Sequence, residues 1–140
     1  MTLTSILTSP LKNPLEKSIP PHFTVAVASI CVEEGQDATF HCEATGLPRP
    51  KLLWQRSGEQ IHHGDNRFVI QYKESGRRDI ASTLIVLDVV EEDSDTYVAV
   101  ATNEAGEAVS EAGLVSELLW LLYPIITHFL RLTLALNLRV

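Results

Sequence analysis

The stretch DSDTYVAVATNEAG, residues 93–106, decides how the chain folds. Across TYVAVAT, Tyr97, Ala99 and Ala101 recur at every second position. That period puts them on one face of a β-strand, because successive side chains of an extended chain point to opposite sides. NEAGE then reads as a tight turn, and AVSEAGLV beyond it brings Ala112 and Leu114 to the same side.

Working outward, short runs of the same kind fill the chain from Phe23 to about Ser116, separated by Gly, Pro, Asp and Asn at roughly 8–12-residue intervals. FTVAVASICV reads as a strand, and EEGQD as a turn. ATFHCEA offers Phe40, Cys42 and Ala44 to the core, and after the turn GLPRP, KLLWQR offers Leu52 and Trp54. GEQIHHGDN reads as a polar connection, RFVIQY offers Phe68 and Ile70, and STLIVLDV offers Leu84, Val86 and Val89. No helix of ordinary length fits this pattern, and strands at such spacing build an antiparallel sandwich.

With 140 residues, 45% of them hydrophobic, the chain has material for one core. Residues 23–117 hold 17 Asp and Glu against 7 Lys and Arg, a net of about −10, whereas the flanks are mildly basic. An acidic body argues against nucleic acid as a partner, since phosphate binding needs a positive surface. Cys31 and Cys42 are too few for a disulfide framework and lack metal-ligand spacing. The start, MTLTSILTSPLKNPLEKSIPP, is a poor secretory signal, and no Asn-x-Ser/Thr acceptor occurs. These features point to a reducing, cytoplasmic setting.

Cys42, Trp54 twelve residues later, Leu84, Asp93 ahead of Tyr97, and ATNEAG resemble in their order an immunoglobulin domain of the I-set, the type strung along titin, obscurin and related muscle proteins. The resemblance covers residues 20–117 and implies an all-β, immunoglobulin-like antiparallel β-sandwich. It also implies a structural core of Cys42, Trp54, Leu84, Tyr97 and Ala99, with Trp54 packed on Cys42, Tyr97 forming a tyrosine corner, and Asp93 paired with Arg67. Two positions depart from the family pattern: Ala99 stands where the second cysteine belongs, and Asp95 where glycine is common.

In secreted immunoglobulin domains the cross-sheet disulfide contributes about 2–5 kcal/mol, so losing half of it is costly there. In a reducing cytosol the bond would rarely form, and a small apolar side chain opposite a free thiol fills the same space. Ala99 therefore favours an intracellular domain over an extracellular one that has drifted. Val32 is the expected inward residue of its strand, which turns Cys31 away from Cys42.

Other groups carry less. His62 and His63 are adjacent and so point in opposite directions, which reads as a solvated loop rather than a metal site. His41 alternates with the inward Phe40 and Cys42 and belongs on the outer face. VVEEDSD, residues 89–95, lacks the ligand spacing and central glycine of a calcium loop and reads as a solvated acidic turn. No nucleophile elbow, phosphate loop or catalytic cysteine context is present, so neither an enzyme nor a cofactor is expected. KESGRRDIAST contains a hairpin turn whose Arg77 and Arg78 form a charged edge and are the candidate partner contacts.

The chain thus divides into a flexible lead-in at 1–19, the I-set domain at 20–117, and an apolar tail at 118–140. The tail, from Leu118, is about long enough to span a bilayer, but Pro124, His128 and Arg131 oppose insertion. Three readings stand for it: a membrane span, a protein-binding segment, or an end without a dedicated role. The expected function is a non-enzymatic structural and protein-docking module of the striated-muscle cytoskeleton, with myofibrillar proteins as partners, cytoplasmic and without nucleic acid; a membrane contact is not favoured. The rival is a cell-surface adhesion or receptor fragment anchored by the tail. A third reading is a regulatory module beside a kinase.

Overall fold

The computed structural model describes residues 15–117 and 123–137. Among these residues nine strands form two sheets facing one another. The first sheet has the order β1-β3-β7-β6, from β1 (Ile19–Val25), β3 (Ala38–Leu47), β7 (Asp79–Val86) and β6 (Phe68–Ser75). The second has the order β2-β9-β8-β4-β5, from β2 (Ile30–Glu33), β9 (Gly106–Glu117), β8 (Asp95–Asn103), β4 (Lys51–Arg56) and β5 (Glu59–Ile61).

Two features depart from the expected pattern. FTVAVASICV is not one strand: its first part pairs with β3 in one sheet, and its last part, β2, pairs in parallel with β9 in the other. The crossing is held by side chains, with Val27 N–H donating to Ser110 Oγ (3.0 Å) and Gly113 N–H to Ser29 Oγ (2.9 Å). Within the stretch read as a polar connection, β5 adds a short strand to β4. Its turn is Ser57–Gly58, with φ of 51° and 78°. Positive φ at both central residues of a two-residue loop matches the right-handed twist of a hairpin.

Pro20 and Pro21 lie within β1, an edge strand, where a missing N–H is tolerated. Residues 1–14 of the expected lead-in lie outside the described residues. Just before β1, Glu16 pairs with Arg77 (2.8 Å) and Ser18 donates to Glu104 Oε1 (2.6 Å). The tight turn after β8 is organised by Asn103, whose Oδ1 accepts from Ala105 N–H (2.8 Å) while Nδ2 donates to Ile19 O (2.7 Å) and Pro48 O (2.9 Å).

The inward faces meet in one apolar core containing Phe40, Cys42, Ala44, Leu52, Trp54, Phe68, Ile70, Leu84, Val86, Val89, Tyr97, Ala99, Ala101, Ala112 and Leu114. The Tyr97 ring lies 5.1 Å from Phe40 and 6.3 Å from Phe68, centroid to centroid. Val32 packs against this core, and Cys31 is exposed. Cys42 and Ala99, each 0% exposed, come from opposite sheets. Burial pushes the Cys42 thiol up to about 12, against the effect of a hydrogen bond with Ser82.

Ala99→Cys should therefore let the introduced thiol close a cross-sheet bridge to Cys42 under oxidising conditions and stabilise the domain by about 2–4 kcal/mol. The readouts are the loss of two free thiols and a higher melting temperature than in reducing buffer. Both thiols persisting in a folded, oxidised sample would show that the two positions do not face one another.

After the sandwich comes helix α1 (Tyr123–Asn137), 15 residues long. At 1.5 Å per residue it is about 22 Å long, short of a hydrocarbon core of about 30 Å. Among the described residues no helix is long and apolar enough to cross a membrane. The tail residues 118–122 and 138–140 lie outside the described part.

Candidate docking surface

At one end of the sandwich the charges are turned inward. A 3-10 turn over Glu91–Asp93 buries Asp93 to 2% exposure, which corrects the expectation of a wholly solvated acidic turn. Burying a carboxylate is tolerable only with partners. The Arg67 guanidinium supplies them, donating from Nη2 to both Asp93 oxygens (2.9 and 2.8 Å), and Val90 N–H donates to Oδ2 (2.9 Å). The Tyr97 hydroxyl donates to Asp93 O (2.8 Å), closing the corner at the start of β8. Burial pushes this phenol up to about 12.

Asp95, the residue in place of glycine, extends the same network. It accepts from Ser57 Oγ (2.8 Å) and Arg56 Nε (3.1 Å), and Arg56 in turn lies 5.6 Å from the Tyr97 ring centroid. The Ser57 hydroxyl, then the Thr96 N–H and Arg56, hold the Asp95 carboxyl below its ordinary range. Arg56 and Arg67 are thus committed to the fold.

The histidines also have structural tasks. His63 Nδ1 accepts from Ile70 N–H (3.1 Å), tying the loop to β6, so this side chain is not simply solvated. His41, on the outer face, bridges Thr83 (3.1 Å) and Glu43 (3.1 Å). Among the described residues no three His, Cys, Asp or Glu side chains come together as a metal would require.

The outward-facing end is built on β6 and its hairpin with β7. β6 is eight residues long and lies at the sheet edge, so one side of its backbone faces no neighbouring strand. Such an edge is a template for an added strand unless charge or shape protects it. Beside it, Lys73, Ala81 and Glu43 sit in register across β6, β7 and β3. The small Ala81 between two long side chains leaves a shallow groove, extended by Thr24, Ser75, Asp79 and Ile80 on one side and by His41, Gln71, Tyr72 and Thr83 on the other.

At the hairpin tip Gly76 takes φ 57°, a left-handed conformation that suits glycine. Arg77 and Arg78 follow it. The Arg77 side chain is 70% exposed, yet it is not free: it reaches Glu16 at 2.8 Å. Arg49 braces the tip from below, pairing with Glu74 at 2.8 Å and donating to Gly76 O. Arg78 is exposed, and its carbonyl accepts from Gly46 N–H (3.1 Å). The Glu16 contact, 61 residues distant in sequence, had no local signal that could have revealed it.

Residues 21–115 match the Immunoglobulin I-set domain family. Striated muscle preferentially expressed protein kinase of Danio rerio is 33% identical over 100 residues, covering 71% of this chain and 3% of that protein. Palladin of Rattus norvegicus is 34% identical over 92 residues, covering 66% of this chain and 14% of that protein. The chain therefore spans a small part of either relative's length. Among solved structures, titin domains z1z2 in complex with telethonin align with a TM-score of 0.61 at 30% identity, covering 72% of this chain and 48% of that one.

Proposed function

Since the chain belongs to the immunoglobulin I-set family, we propose that it is a non-enzymatic structural module that docks myofibrillar proteins in the cytoplasm of striated muscle. The observation that carries this is the edge strand β6 with its groove and its arginine-tipped hairpin. A partner in extended form adds its backbone to β6, reaches past Lys73 into the groove over Ala81 with a long side chain, and meets Arg77 and Arg78 with acidic groups. Likeness to titin domains solved with telethonin and to a striated-muscle protein supports a protein partner in that tissue. A core that uses no disulfide supports a reducing compartment.

The test is co-sedimentation of the purified full chain with myofibrils in reducing buffer. The parent chain should pellet with them. Arg77→Glu together with Arg78→Glu should weaken binding by about tenfold with the melting temperature little changed, since exposed charges affect association more than folding. Unchanged binding of the double variant would remove the hairpin from the reading, and a parent chain that never pellets would end it.

A further inference from the structure

Helix α1 carries chemistry that the sandwich does not use. Its side chains Ile125, Phe129, Leu130, Leu132, Leu134 and Leu136 are each at least 51% exposed. At 3.6 residues per turn they occupy an arc of about 200°. Thr127, His128 and Arg131 share the narrower remainder.

A helix seated in a protein groove hides an apolar stripe of roughly 100°, which would leave about half of this arc in water. A lipid layer entered sideways covers all of it. Thr133 lies inside the arc, as does Asn137 in the last position of the helix; the Thr133 hydroxyl donates to Phe129 O (3.0 Å), so this group is satisfied within the helix, as hydrocarbon requires. Charge agrees: residues 118–140 contain Arg131 and Arg139 and no Asp or Glu, opposite in sign to the acidic sandwich. Over its described residues the helix is also too short to cross.

We propose that α1 is an interfacial membrane anchor that lies in the plane of an anionic lipid surface, its leucines and Phe129 among the acyl chains and its Arg131 stripe among the headgroups. This places the acidic domain beside the bilayer, held by the helix alone.

Flotation of the purified full chain with vesicles tests it. The chain should float with phosphatidylcholine–phosphatidylserine vesicles, float weakly with phosphatidylcholine alone, and be released by alkaline carbonate. Phe129→Glu should lower the bound fraction at least tenfold, and Arg131→Glu about tenfold on anionic vesicles, with sandwich melting unchanged. The Arg77 and Arg78 variant should float like the parent, which keeps this inference separate from the β6 reading. Absence of flotation would overturn it. So would flotation that resists carbonate, which would mean a span, or a lipid-independent dimer abolished by Phe129→Glu, which would mean that a second copy covers the arc.

Discussion

Trp54→Ala should leave the domain largely unfolded at 37 °C, with a loss of about 3–5 kcal/mol. The indole is 0% exposed, packs 6.4 Å from Phe40 by ring centroids, and donates through Nε1 to Ser82 Oγ (2.9 Å). Ser82, itself buried, donates its hydroxyl to Gln71 O (3.0 Å), so the tryptophan anchors a polar chain between the sheets as well as filling volume. Small domains are stable by only about 5–15 kcal/mol, so this loss is a large fraction of the whole. Trp54→Phe keeps most of the volume and drops the hydrogen bond, and should lose about 1–2 kcal/mol. Urea titrations of the two variants check both values. Equal losses would mean that the hydrogen bond, not the packing, dominates.

Asp93→Ala should cost about 3 kcal/mol, the lower end of the range for breaking a buried ion pair. The carboxylate accepts from Arg67 and from Val90 N–H inside a nearly closed corner. Removing it takes the counter-charge from a guanidinium whose side chain is only 28% exposed and leaves it only the Leu87 and Asp88 carbonyls. Arg67→Leu should be costly for the mirror reason. Combining Arg67→Leu with Asp93→Ala should cost clearly less than the sum of the single changes, because neither charge is then left unpaired. Additive losses in this cycle would show that the two side chains act independently, contrary to their geometry.

Much of this architecture was legible in the chain because burial on one face imposes period two, and FHCEA, LLWQR and TYVAVA each display it. What escaped detection depends on pairing over distance or on very short elements. β5 is three residues long and too brief for periodicity; its cue was the Ser57–Gly58 pair, which can take the positive φ angles of a tight hairpin. The sheet change within FTVAVASICV leaves no mark on local alternation, since it is set by hydroxyls of Ser29 and Ser110 meeting backbone from the other strand. The Asp93–Arg67 pair was implied by the family resemblance and not by local pattern, because the two residues lie 26 positions apart and Asp93 by itself resembles its acidic neighbours. The candidate surface was visible only as two adjacent arginines. The groove beside them comes from the register of Lys73, Ala81 and Glu43, three residues on three different strands.

The parallel pairing of β2 with β9 has a mechanical meaning. The two strands run in the same direction, with Ile30 opposite Leu114 and Glu33 opposite Glu117. Traction that pulls the chain backward from the N-terminal side of β2 and forward from the end of β9 slides one strand along the other. Every hydrogen bond of the pair is then loaded together, whereas a hairpin peeled from its open end would yield them one at a time. Tension applied between the start of β2 and the end of β9 therefore loads a four-residue shear contact at the edge of the five-stranded sheet.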